Sequence, residues 1–255
     1  MKPSLLLILA VFITSLSPAQ DINLDTILHH HFEAMGGQQA WQQIKTCYAE
    51  QSYWAIPIDM PPHRRFLGDQ MPKNQTNYYQ YPDQFRGNVY SEGELSTAII
   101  VNHEEAKFYS YRSKHELVYP ESDLERVKAI HAFTFSTYLL GPTPLLISAY
   151  EDSRVVYQGQ MEAYGKLCHK LVITNGLPLG GKTLIYMDVE TYRVYALVHE
   201  ERIDRYKMYD DYQKVDGLFI PHNISSYREG ERYEEYTLDN IKINQTLEAS
   251  LFAQW

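Results

Sequence analysis

The chain has 255 residues and a formal charge of −9, from 32 acidic against 23 basic side chains. That balance repels phosphate backbones and anionic lipid surfaces, which argues against nucleic acid as a partner. Its two cysteines, Cys47 and Cys168, set no disulfide framework: they could pair once or lie buried as separate thiols.

Met1-Lys2-Pro3-Ser4 places one positive charge ahead of an apolar run from Leu5 to Leu16, and Ser17-Pro18-Ala19 supplies small residues before Gln20. This is the pattern of a secretory signal cleaved after Ala19. A membrane-spanning helix needs about 20 apolar residues, and this run is shorter and meets the polar Gln20-Asp21 at once. No cysteine follows the cut at once to take a lipid, so no stable membrane insertion is expected, and the expected compartment is the periplasm. Residues 20–255 suit one sizeable β domain and are short for two. The sequence does not fix the oligomeric state, and a monomer is the working expectation.

After the cut, Leu24, Ile27, Leu28, His31, Phe32 and Met35 recur at helical spacing, and Gly36-Gly37 supplies a left-handed stop. The spacing predicts a helix over 22–35. From Lys45 the texture changes to short runs rich in Tyr, Val, Ile and Thr, divided by Gly, Pro, Asn and Asp, as in an antiparallel sheet. Eleven strands are predicted: 46–56, 77–81, 84–90, 97–102, 107–112, 166–174, 183–188, 194–200, 205–215, 218–227 and 231–243. Asp216-Gly217 is the strongest tight-hairpin signal. The segment from Pro57 to Gln75, with four prolines, is the longest predicted loop.

One block interrupts the sheet. Ser122-Asp123-Leu124-Glu125 has the form of a capping box, which predicts a helix carrying Val127, Ile130, Phe133 and Leu140 as far as Gly141-Pro142. Thr143-Pro144 then opens a second short helix through Leu145, Leu146 and Ile147. Two readings of this insert need the same composition. Phe133, Phe135, Tyr138, Leu139, Leu145 and Leu146 either cover the sheet as core, or roof a space that holds an acyl chain or similar apolar ligand.

Catalytic and metal motifs are weak. Gly176-Leu177-Pro178-Leu179-Gly180-Gly181-Lys182-Thr183 matches the fixed positions of a phosphate-cradling loop, but that loop needs a helix after it, and Leu184-Ile185-Tyr186-Met187 reads as strand. His103-Glu104, His115-Glu116 and His199-Glu200 lack the second histidine of a zinc peptidase helix. His29, His30 and His31 point about 100° apart on their helix and cannot converge on one ion; His31 falls on the apolar face and reads as packed. Asp210-Asp211 and Glu234-Glu235 sit in strands, where neighbours face opposite ways, and read as solvated edges. No metal site and no cofactor are expected.

Several stretches together resemble a known family: Glu33-Ala34-Met35-Gly36-Gly37 ending the first helix, Trp41-Gln42-Gln43-Ile44-Lys45-Thr46 leading to the first strand, Tyr212 to His222 around Asp216-Gly217, and the closing Ile241-Lys242-Ile243-Asn244 to Ser250-Leu251-Phe252. They look like outer-membrane lipoprotein-sorting proteins, the LolA-like carriers of Bacteroidetes-type bacteria. The resemblance implies a mainly β fold: a curved, incomplete antiparallel β-barrel of about ten or eleven strands, with an N-terminal helix and a helical insert covering the open side. It also implies an apolar cavity and an arginine that latches the lid, which no local motif assigns among Arg64, Arg65 and Arg86. The expected function is a soluble, non-catalytic periplasmic carrier for the acyl chains of a lipid or lipoprotein. The alternative is an interaction module that docks other envelope proteins, with the 57–75 loop as contact. A secreted enzyme using scattered groups such as His63, His169 and His222 ranks third.

Overall fold

The structure is a computed structural model that describes residues 23–55, 73–111, 113–174 and 181–253. The predicted signal segment, Arg64, Arg65, His63, most of the 57–75 loop and residues 176–180 of the Gly-rich loop lie outside the described residues.

Helix α1 (Leu24–Ala34) starts at Asn23, whose side chain accepts from the Thr26 N–H, and buries Ile27, Leu28, His31 and Phe32. After Gly36 and Gly37, both at positive φ, a second short helix α2 (Gln38–Gln42) buries Trp41. Then come β1 (Thr46–Ala55), β2 (Lys73–Gln80), β3 (Gln84–Ser91), β4 (Glu94–Val101), β5 (Ala106–Ser110) and β6 (His115–Val118). The insert comprises α3 (Leu124–Phe135), a π-helical turn over Ser136–Leu140, and α4 (Thr143–Glu151). It is followed by β7 (Val155–Ala163), β8 (Lys166–Ile173), β9 (Thr183–Asp188), β10 (Val194–His199), β11 (Arg205–Val215), β12 (Leu218–Arg228) and β13 (Glu231–Ile243).

Among the described residues thirteen strands form one curved, unclosed antiparallel sheet in the order β6-β5-β4-β3-β2-β1-β13-β12-β11-β10-β9-β8-β7. Two more strands are present than the sequence predicts. β6 is short and exposed throughout, and β7 precedes a turn at Tyr164-Gly165 rather than at an Asn-Gly or Asp-Gly pair. Asp216-Gly217 joins β11 to β12 with both residues at positive φ, as a tight hairpin requires. Thr183 opens strand β9, so the Gly-rich segment leads into a sheet and lacks the helix a phosphate loop needs.

The helix start differs from the predicted box. Residues Glu121–Asp123 form a 3-10 turn, and Glu125 faces outward to Lys128, 2.9 Å away, instead of reaching back. The two cysteines are buried and unpaired, Cys47 in the main core and Cys168 in a separate cluster with Val172, Leu184, Tyr186, Ala196 and Val198.

Because β6 and β7 are opposite edges of the sheet, the chain between them must cross from one edge to the other. It does so over the concave face, which places the insert as a lid. The main core packs α1 and α4 against that face through Ile27, Leu28, Leu146, Leu171, Ile185, Tyr209 and Ile220. On the other face of β3 and β4, the C-terminal turn Ala249–Phe252 is tied down where Arg86 Nη1–H donates to the Leu251 carbonyl and Asn102 Nδ2–H to the Phe252 carbonyl.

The two glycine signals of the sequence meet in space. The Phe219 N–H donates to the Met35 carbonyl at 3.1 Å, and Gly36, at φ +99°, lies so close to the β11–β12 hairpin that a Cβ there would sit 2.3 Å from the Gly217 carbonyl oxygen. Gly36→Ala therefore combines backbone strain with a clash against main chain, and is expected to destabilise by about 3 kcal/mol. Urea unfolding checks this; an unchanged midpoint would mean that α1 does not dock on the hairpin as described.

Candidate functional site: a lidded cavity on the concave face

The lid is anchored at both ends. Leu124 and Val127 of α3 are buried with Val101 and Ala106 of β4 and β5. Leu146, Ile147 and Ala149 of α4 are buried with α1 in the main core. Between these anchors the chain passes over the first half of the sheet, and the register fixes which side chains lie beneath it.

Gln51, Gln75, Val89 and Thr97 are successive cross-strand partners on β1 to β4. Asn77, Gly87, Ile99 and Phe108 form the next row, on β2 to β5. With His131, Tyr138 and Leu139 of the lid and Tyr236 of β13, these rows line a cavity of about 330 Å³. Pockets for small apolar ligands typically start near 300 Å³.

The cavity is mostly apolar, and its amides are turned upon one another. Gln51 Nε2–H donates to the Tyr138 carbonyl at 2.8 Å, and its Oε1 accepts from Gln75 at 2.6 Å and Asn77 at 3.2 Å. A buried amide left unpaired would be costly, and this arrangement spends the polar groups on tying the lid to the floor. His131 stacks on Phe85 with centroids 5.5 Å apart, and burial lowers its pKa from the usual imidazole value.

The six predicted lid residues do not form one patch. Tyr138 and Leu139 line the cavity. Phe133 and Leu145 line a different depression of about 700 Å³ between the lid, Trp41 of α2 and the Tyr81-Pro82 turn. Leu146 has no exposed surface and is core. Phe135 lies in α3 with its side chain outside the description. The floor residues Gln51, Gln75 and Asn77 are absent from the sequence reading, because only strand register brings them together.

The acidic pair Glu234-Glu235, expected as a solvated edge, is partly buried. Its two carboxylates do face opposite ways. Glu234 accepts from Ser226 Oγ at 2.9 Å, from the Tyr236 hydroxyl at 2.9 Å and from the Tyr138 hydroxyl at 3.3 Å, whereas Glu235 accepts from Trp54 Nε1 at 2.9 Å and Asn223 Nδ2 at 3.1 Å. Arg86 serves the C-terminal turn as described above, and its side chain bonds also to Asn88 on its own strand.

The three histidines of α1 separate as their spacing dictates. His31 is buried: its Nδ1–H donates to the Tyr192 carbonyl at 2.7 Å, which leaves Nε2 to accept from the Thr143 hydroxyl at 3.3 Å. His30 packs its ring on Tyr192 at 4.8 Å, and His29 is exposed. His169 is also buried, beside the Tyr157 hydroxyl and stacked on Tyr192. Among the described residues no group of three or more metal-ligating side chains converges.

No family model matches the sequence, and no curated protein matches it. Solved structures do resemble it. An outer membrane lipoprotein-sorting protein domain from Vibrio parahaemolyticus aligns at a TM-score of 0.51 and 12% identity, over 89% of this chain and 94% of that one. A LolA superfamily protein from Nitrosomonas europaea aligns at 0.56 and 10% identity, over 91% and 98%. A DUF1329 family protein from Desulfovibrio piger aligns at 0.57 and 11% identity, over 89% and 96%.

Burial lowers the His31 pKa to about 4, against a backbone hydrogen bond that raises it. The folded state then binds fewer protons than the unfolded chain between pH 6.5 and 4. The stabilisation is complete above about 6.5 and is lost as pH falls toward 4, by roughly 3 kcal/mol. Urea midpoints at pH 7 and pH 4.5 are expected to differ accordingly, and less so in His31→Gln; equal midpoints in the native chain would contradict a buried neutral imidazole. The fold so assembled, a curved sheet with a helical lid, is that of the LolA-like, lipoprotein-sorting structures.

Proposed function

We propose that this chain is a non-catalytic carrier of the bacterial periplasm that shields an apolar ligand, such as the acyl chains of a lipid or lipoprotein. The observation that carries the reading is the cavity between the lid and the first five strands. Acyl chains left in water cost about 0.8 kcal/mol per methylene, so transport through an aqueous compartment needs an enclosed apolar space. Between its end anchors the lid is held by the polar contacts of Tyr138 to Gln51 and Glu234 and by the buried Leu139 and Leu140, a smaller attachment than the sheet's own hydrogen bonds, so it can yield without unfolding the sheet. The likeness to a lipoprotein-sorting domain supports the reading at the level of fold. Expected export by the N-terminal signal agrees with it.

Thr97 points into the cavity from β4 and is partly buried. Thr97→Trp fills the space without touching the lid's anchors. Titration with a fluorescent fatty acid is expected to show saturable binding to the native chain, weakened at least about tenfold in the variant, a loss of about 1.4 kcal/mol. Equal affinities, with both proteins folded by circular dichroism, would place the ligand elsewhere; absence of binding to either would remove the carrier reading.

A further inference from the structure

Lys207 is a charged group where the concave face would be served more simply by leucine or methionine. The register sets it on β11 opposite Ser226 of β12, which is opposite Glu234 of β13. Burial pulls its pKa down to about 7, against the raising influence of Glu234. Glu234 already accepts three hydroxyl donors, from Ser226, Tyr236 and Tyr138. Among the described residues no carboxylate lies within ion-pair distance of Lys207. Its ammonium has the Thr137 hydroxyl at 3.4 Å and the Tyr138 ring face, 3.4 Å from the centroid. Two residues along the same face, Tyr209 buries a hydroxyl that finds no partner among the described residues.

Both groups that serve the ammonium belong to the lid's π-helical turn, and Tyr138 is also a wall of the cavity. One aromatic ring therefore stands between a partly buried cation and the apolar space. A cation over a ring face is held by the ring's quadrupole, a weaker bond than a desolvated carboxylate or phosphate would make.

We propose that Lys207 anchors the head group of an anionic amphiphile, whose chain lies along Val89, Ile99 and Leu139 and whose carboxylate or phosphate takes the place that Tyr138 fills while the lid is closed. This deepens the carrier reading and rests on it: the ligand class narrows from any apolar chain to one with a single-chain anionic end.

The test compares dodecyl phosphate, dodecanol and inorganic phosphate by isothermal titration calorimetry on the mature chain, on Lys207→Met and on Lys207→Arg. Dodecyl phosphate is expected to bind the native chain at least about tenfold more tightly than dodecanol, with the preference lost in Lys207→Met and regained in Lys207→Arg. The preference is read as the ratio of the two affinities within each protein, and circular dichroism of the three checks that the variants are folded. Equal affinities for the two amphiphiles in the native chain, or a preference that survives Lys207→Met, would overturn the inference while leaving the carrier reading intact. Binding of inorganic phosphate as tight as that of dodecyl phosphate would make Lys207 a small-anion site and overturn the amphiphile. No binding of either amphiphile would remove both readings together.

Discussion

The arrangement depends on one topological constraint: the two edges of the sheet are consecutive in sequence. β6 and β7 stand at opposite ends of the thirteen-strand order, so residues 119–154 must travel the width of the sheet between them. An extended loop on that path would bury unpaired backbone groups, which helices satisfy internally. The helices in turn need an apolar face to rest on, and the concave side supplies it. The lid is thus the connection itself, and the cavity is the space that connection leaves between α3 and the turn that carries Tyr138 and Leu139.

The polar groups of the concave face follow from the same geometry. A cavity whose walls were wholly apolar would gain by collapsing onto its lid, since buried apolar contact is favourable everywhere. Gln51, Gln75, Asn77, Glu234 and Lys207 interrupt that contact with groups that must find hydrogen bonds at set distances. They hold Tyr138 at a fixed height by its carbonyl, its hydroxyl and its ring face. Elsewhere the face is packed with Leu171, Ile185 and Ile220, which leave no such need.

Much of the fold was legible because its signals are local. The helical spacing from Leu24 to Met35, the Gly36-Gly37 stop, the Asp216-Gly217 hairpin and the break at Gly141 each depend on a few neighbouring residues. β7 escaped because its turn at Tyr164-Gly165 places a bulky residue at positive φ, where the usual signal is Asn or Asp. Of the site, Tyr138 and Leu139 could be named from apolar composition, and Phe133 and Leu145 by the same rule fall in another depression. Gln51, Gln75, Asn77, Glu234 and Lys207 were illegible: each is an ordinary polar residue in a strand, and only the pairing of β1 with β2 and β13, and of β12 with β13 and β11, brings them to one face. The resemblance pointed to the fold through motifs that proved to be structural contacts, Gly36 against Gly217 above all.

The central claim is that the space under the lid is a ligand site and not a packing fault. Native mass spectrometry of the mature protein, purified from the periplasm of a bacterium that exports it and followed by organic extraction, tests this most directly. The account predicts a population heavier than the apo chain by the mass of an acyl-bearing molecule, which extraction releases and identifies. A single apo mass, unchanged after incubation with fatty acid or lipopeptide, would contradict it.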